Sequence, residues 1–212
     1  MTITSLPIRT RPPERVSVFI DGHYSFSLSL PLSTSLGLKV GKVLTAQELD
    51  ALRTAAALDD AKTAIHAALS RRAHSRKELA QKLHRKGFSK DIIDLALAQA
   101  EQHGFINDQA FAQSFIQKRL RQTPLGVRKL QVELHQKGVS RQTAQHALTQ
   151  ADLQADTLCR TAAEKKWKSL QKEPDAQKRR RKLFDFLLRR GFEWETIERV
   201  TAPMLRTGDS RT

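Results

Sequence analysis

The apolar positions change period along the chain. Val16, Val18 and Ile20 alternate with other residues, and so do Tyr24, Phe26, Leu28 and Leu30. A period of two belongs to a half-buried strand. Asp21-Gly22 lies between the two runs and predicts a hairpin. Pairing apolar residues on one face sets Ile20 against Tyr24, Val18 against Phe26 and Val16 against Leu28. That register asks for a three-residue connection, Asp21 to His23, so a bulged loop is predicted in place of a plain two-residue turn. A short strand near Lys42–Leu44 is expected beside it. Thr45-Ala-Gln-Glu48 is a capping box and starts a helix predicted to run to about Ala57.

Beyond this head the period becomes helical, and one pattern recurs three times. Leu79 and Leu83 lie four apart and are followed by Lys86-Gly87-Phe88. Leu130 and Leu134 precede Lys137-Gly138-Val139, and Leu183 and Leu187 precede Arg190-Gly191-Phe192. Paired Leu at i and i+4 give a helix an apolar stripe. The glycine suits the left-handed residue just past the helix, and the cation before it faces the negative end of the helix dipole. Ser89 and Ser140 then cap the next helix, where the third copy has Glu193, a poorer cap. Ser75-Arg-Lys-Glu78, Thr123-Pro124 and Pro174-Asp175 are expected to begin the middle helix of each copy, and Asn107 to cap the first helix of the second. Glycines spaced 51 and 53 residues apart mean tandem units. The predicted organisation is a head of a β-hairpin plus helix (1–60), three-helix repeats at 61–107, 108–151 and 152–206, and a frayed tail (207–212). The fold class is mainly α, with a small N-terminal β segment.

Charge refines this picture. The 212 residues hold 37 Lys+Arg and 22 Asp+Glu, a formal charge of +15. The head is neutral, and each repeat, the last with its tail, contributes +5. The excess surrounds the middle helices: residues 76–86 total +4, 118–137 total +5 and 178–190 total +6. An anionic partner would meet Lys82, Arg85, Lys86, Arg128, Lys129, Lys137, Arg179, Arg180, Arg181, Lys182, Arg189 and Arg190, through electrostatics or phosphate contacts. The plainer reading makes these a solvated surface, with those beside the glycines serving only as dipole caps. Middle helix, glycine turn and third helix resemble a helix-turn-helix, in which the last helix reads bases. Here that helix is acidic or nearly neutral, with Asp91, Asp94 and Glu101 in the first repeat and Glu193, Glu195 and Glu198 in the third. Sequence-specific reading is therefore not expected.

No catalytic constellation emerges. Gly37-Leu-Lys-Val-Gly41-Lys42 falls one residue short of a phosphate loop, and Val43 stands where a hydroxyl should be. The seven histidines lack metal-ligand spacing, and the single cysteine, Cys159, has no nucleophile signature. The pair Asp59-Asp60 is expected to be exposed. No run of apolar residues could span a membrane, and no cofactor or enzyme activity is expected.

The repeated Leu-x-x-x-Leu-x-x-Lys-Gly unit, the joint Gly104-Phe-Ile-Asn-Asp108-x-x-Phe111-Ala112 and the block Gly126-x-x-x-Leu130-x-x-Glu133-Leu134-x-x-Lys-Gly138 are similar to those of the RecX family, regulators of the bacterial recombinase RecA. The resemblance is strongest over residues 64–150. It extends to the third repeat, which departs at Glu193 and in the basic run Lys178 to Lys182, and to the Val-Ser-Val-Phe-Ile-Asp-Gly hairpin. It implies an elongated array of three helical repeats. It also implies a non-catalytic cytoplasmic protein that binds along the groove of the RecA–DNA filament and inhibits ATP hydrolysis and strand exchange. A monomer is expected, with possible DNA contacts through backbone phosphates. The alternative is a nonspecific basic DNA- or RNA-binding protein without a protein target.

Overall fold

A computed structural model describes residues 1–9 and 14–209. The chain divides into two compact units, Met1–Ile106 and Asn107–Thr212.

The first unit opens with four strands, β1 (Ile3–Ser5), β2 (Ile8–Arg9), β3 (Arg15–Ile20) and β4 (His23–Ser29). β3 pairs antiparallel with the other three. Val16 faces Leu28 and Val18 faces Phe26, as the alternation requires. The turn differs from the expected one. Ile20 pairs with His23 and Phe19 with Tyr24, so Asp21-Gly22 is a plain two-residue loop with φ of +49° and +84°. The extra residue is a bulge at Ser25, within the strand. The primed turn matches strand twist, and it is also held from outside. The Thr2 amide donates to Asp21 Oδ1 at 2.7 Å, and the Gly22 amide donates to Thr4 Oγ1 at 3.0 Å. The expected strand near Lys42–Leu44 is a single bridge, Thr2 to Val43. A short helix, α1 (Leu30–Ser35), follows β4.

Helix α2 spans Ala46–Leu69, with the Thr45–Glu48 capping box formed. It passes residue 57 unbroken, and also residues 60 and 61, where the sequence suggests the head ends. Ala55, Ala56, Ala57 and Leu58 are strong helix formers, and nothing among them can stop a helix. The Asp59-Asp60 pair is half-buried, not exposed, because it fastens the sheet to this helix. Arg15 makes a two-pronged ion pair with Asp60 and donates to the Ser27 carbonyl at 2.9 Å, while the Ser29 amide donates to Asp59 at 3.0 Å. Helices α3 (Arg76–Arg85) and α4 (Lys90–Gln102) complete the first repeat. Its core joins Ala61, Ile65, Leu79, Leu83, Ile92, Ile93 and Leu97.

The second unit contains α5 (Asp108–Gln122), α6 (Val127–Gln136), α7 (Arg141–Gln150), α8 (Ala155–Leu170), α9 (Ala176–Arg189) and α10 (Trp194–Asp209). Two cores form, one around Phe111, Ile116, Leu130 and Leu134, the other around Cys159, Leu183, Leu187 and Ile197. α10 runs into the stretch expected to fray, and residues 210–212 lie outside the described ones. Side-chain caps form at Ser75, Ser89, Asn107, Ser140 and Asp175.

The three glycine turns are alike in geometry. Gly87, Gly138 and Gly191 have φ of +87°, +86° and +82°. In each, the glycine amide and the next amide donate back to the helix end, as Gly191 does to Leu188 O at 2.9 Å and Phe192 to Leu187 O at 3.3 Å. This double bond-back is the Schellman motif. The expected cap at Thr123-Pro124 does not form. Thr123 ends α5, and α6 starts after Gly126, which has no capping side chain. The chain supplies the cap from the third repeat: Gly126 N–H donates to Arg190 O at 2.9 Å, and Arg128 N–H to Gly191 O at 3.3 Å. The carbonyl end of α9 therefore satisfies the amide end of α6, a favourable meeting of opposite dipole ends.

Candidate functional site

The twelve nominated cations fall into two groups. Several hold the fold together. Arg190 is half-buried, donates to Pro124 O at 3.1 Å and lies 4.5 Å from the Phe186 ring centre. Burial pushes its pKa down. Arg179 donates to Glu173 O at 2.9 Å and Pro174 O at 3.3 Å, bracing the turn before α9. Lys182 is ion-paired with Glu173, which that hydrogen bond holds below the usual carboxylate range. Arg180 stacks over Phe184 at 5.3 Å. Arg128 meets Glu193 at 3.3 Å across the two repeats of the second unit, so Glu193 serves as an ion-pair partner where a serine would cap. Lys137 is the last residue of its turn before the glycine.

The others point their charge outward. The side chains of Lys82, Lys86, Lys129, Arg181 and Arg189 make no hydrogen bond or ion pair among the described residues, and Arg85 makes only a 3.3 Å bond to Gln81 O. Arg181 and Arg189 sit eight residues apart on the exposed side of α9, with Asp185 between them at i+4. The positive middle helices are thus partly a structural frame and partly free charge.

Sequence reasoning missed a further set. Arg160, Lys165 and Lys168 of α8 are all exposed, and only their outward phase on that helix distinguishes them. It also missed the joint at Gly126 and Gly191, because nothing local marks two glycines that meet across 65 residues.

The remaining reactive groups are quiet. Cys159 is fully buried, and burial pushes its thiol up to about 11, away from a nucleophilic thiolate. His74 is buried and bonded through Nδ1 to Arg72 O at 2.9 Å. Among the described residues no three of His, Cys, Asp or Glu gather as metal ligands, and no helix is long and apolar enough to cross a membrane. In the Gly37–Lys42 segment, the Gly41 amide donates to Ile3 O at 2.8 Å and ties the loop to β1.

A small β head followed in sequence by three-helix repeats, each with a cationic middle helix, defines a class: helical-repeat proteins. Comparison with known proteins supplies the family. The chain matches the regulatory protein RecX N-terminal domain over residues 1–45, and the first, second and third three-helix domains of RecX over 61–99, 107–148 and 154–201. It belongs to the RecX family of regulatory proteins. A regulatory protein RecX of Clostridium botulinum (strain Eklund 17B / Type B) is 32% identical over 200 residues, 93% of each chain. That of Chlorobaculum tepidum is 41% identical over 143 residues, 68% of this chain and 87% of its own. A crystal structure of regulatory protein RecX superposes with a TM-score of 0.77 over 95% of this chain and 98% of that one, at 22% identity. RecX from Lactobacillus salivarius superposes with a TM-score of 0.62 over 72% of this chain and 99% of its own, at 23% identity.

Proposed function

We propose that this chain is a non-catalytic regulator of the RecA recombinase. It binds as a monomer along the groove of the RecA–DNA filament in the cytoplasm and suppresses ATP hydrolysis and strand exchange. The observation that carries this reading is family membership over all four domains of the chain. The repeats add a physical argument. Each brings +5 of charge, concentrated around its middle helix, and units in series can follow a helical groove. The outward cations Lys82, Arg85, Lys86, Lys129, Arg181 and Arg189 are the contact candidates, since the others are engaged within the protein.

The test is the DNA-dependent ATPase of the recombinase with sub-stoichiometric amounts of this protein. The rate should fall. An unchanged rate, with steep salt-dependent binding to bare nucleic acid, would favour the nonspecific DNA- or RNA-binding alternative.

A further inference from the structure

The last helices of the three repeats occupy equivalent places, and their outward residues can be compared position by position. In the first repeat α4 shows Lys90, Asp91, Asp94 and Ala98. In the third, α10 shows Trp194, Glu195 and Glu198. Both place carboxylates at the second and fifth residues, one turn apart, where they would meet the phosphates of any duplex. At those positions α7 has Gln142 and Gln145, flanked by Arg141 and Thr149. The objection to base reading therefore holds for α4 and α10 and fails for α7.

The surroundings of α7 fit the same purpose. α6 and α7 are joined by Lys137-Gly138-Val139-Ser140, the short glycine-containing turn of a helix-turn-helix. α7 buries Ala144, Ala147 and Leu148 and turns Arg141, Gln142, Gln145 and Thr149 outward. Gln145 is held in place: its Oε1 accepts from Gln131 Nε2 at 2.9 Å, which leaves its own amide protons directed elsewhere. Amide and guanidinium groups are the donors that pair with base edges in the major groove. Glu133, the carboxylate of α6, is engaged by Arg119 at 2.7 Å. The exposed side of α7 holds no large apolar residue. The large apolar anchors common at the centre of protein-docking surfaces are absent there.

We propose that α7 is a duplex-DNA-facing helix that enters the major groove with Arg141, Gln142, Gln145 and Thr149, and that α4 and α10 do not face the duplex. This does not depend on any action on a recombinase.

The test uses the full chain alone and a short fluorescent duplex, read by anisotropy, with thermal melting to confirm folding. Q142E/Q145E is nearly isosteric and gives α7 the charges of its sister helices. It should weaken duplex binding about tenfold or more, while D91N/D94N in α4 should change it less than about twofold. Three results would overturn the proposal: no binding by the unaltered protein, equal binding by Q142E/Q145E, or equal and opposite shifts from the two variants, which would mean that net charge alone matters. A protein-docking role for α7 would appear as unchanged duplex binding together with lost ATPase inhibition in Q142E/Q145E. Failure here leaves the recombinase reading standing, since no recombinase is present in the binding assay.

Discussion

The turns at Gly87 and Gly191 have the same sequence pattern, the same left-handed φ and the same pair of bonds back to the helix. Their surroundings differ. A Cβ added to Gly87 would meet nothing within 4 Å. A Cβ added to Gly191 would lie 2.2 Å from the Lys129 backbone nitrogen, and one on Gly126 would lie 2.1 Å from Gly191 O. One turn ends a helix, while the other also caps the helix of the neighbouring repeat. A glycine selected for backbone conformation in one repeat is, in another, selected for backbone proximity as well.

The largest expected effect separates the two directly. Gly191→Ala should destabilise the second unit by about 3 kcal/mol or more, because overlap with backbone adds to the conformational cost. Gly87→Ala should cost only about 1 kcal/mol, the strain of a left-handed alanine. Denaturant unfolding of the two variants measures both, and equal losses would break the comparison. Next is the residue before each glycine. Arg190→Met should cost about 1–2 kcal/mol, since it removes the bond to Pro124 O and the stacking on Phe186. Lys86→Met, at the open turn, should stay within about 0.5 kcal/mol.

A pH titration sharpens the contrast between units. Burial, the largest cause, lowers the folded pKa of His74 below its ordinary 6.5, so its contribution is complete above 6.5 and is lost as pH falls. Glu133 is lowered from 4.5 chiefly by its bond to Arg119, so its contribution is lost only below that value. Between pH 6.5 and 4.5, protection against amide exchange, measured relative to the intrinsic rate at each pH, should therefore fall around α3 before it does around α6. His74→Asn should abolish that early loss. The smallest effect is expected at Arg128 and Glu193, whose side chains are 66% and 57% exposed. Arg128→Ala should change stability by less than about 0.5 kcal/mol, read from the same unfolding curves.

What was legible in the sequence was local. Leu79 and Leu83, Ser89 and Ser140, and the three turn glycines announce their roles through neighbours within one helical turn, because stripes, caps and left-handed residues are short-range devices. The hairpin faces are legible too, although the alternation points to a bulged loop and the bulge sits at Ser25. Such a shift moves the turn and leaves the apolar pairs Val16–Leu28 and Val18–Phe26 intact. β1 and β2 are three and two residues long, too short for a period to show. Of the candidate site, the clustering of charge was legible. The division between Arg190, engaged by Pro124 and Phe186, and Arg189, free on the surface, was not, because a carbonyl 66 residues away, that of Pro124, decides it.

The central claim is that repeated cationic faces serve a filament-bound regulator. The most direct measurement is a cryo-electron-microscopy reconstruction of the RecA–DNA filament with this protein bound. Density for successive repeats is expected along the groove, with the outward cations of the three middle helices against filament or DNA. Density confined to bare DNA, or none on the filament, would contradict it.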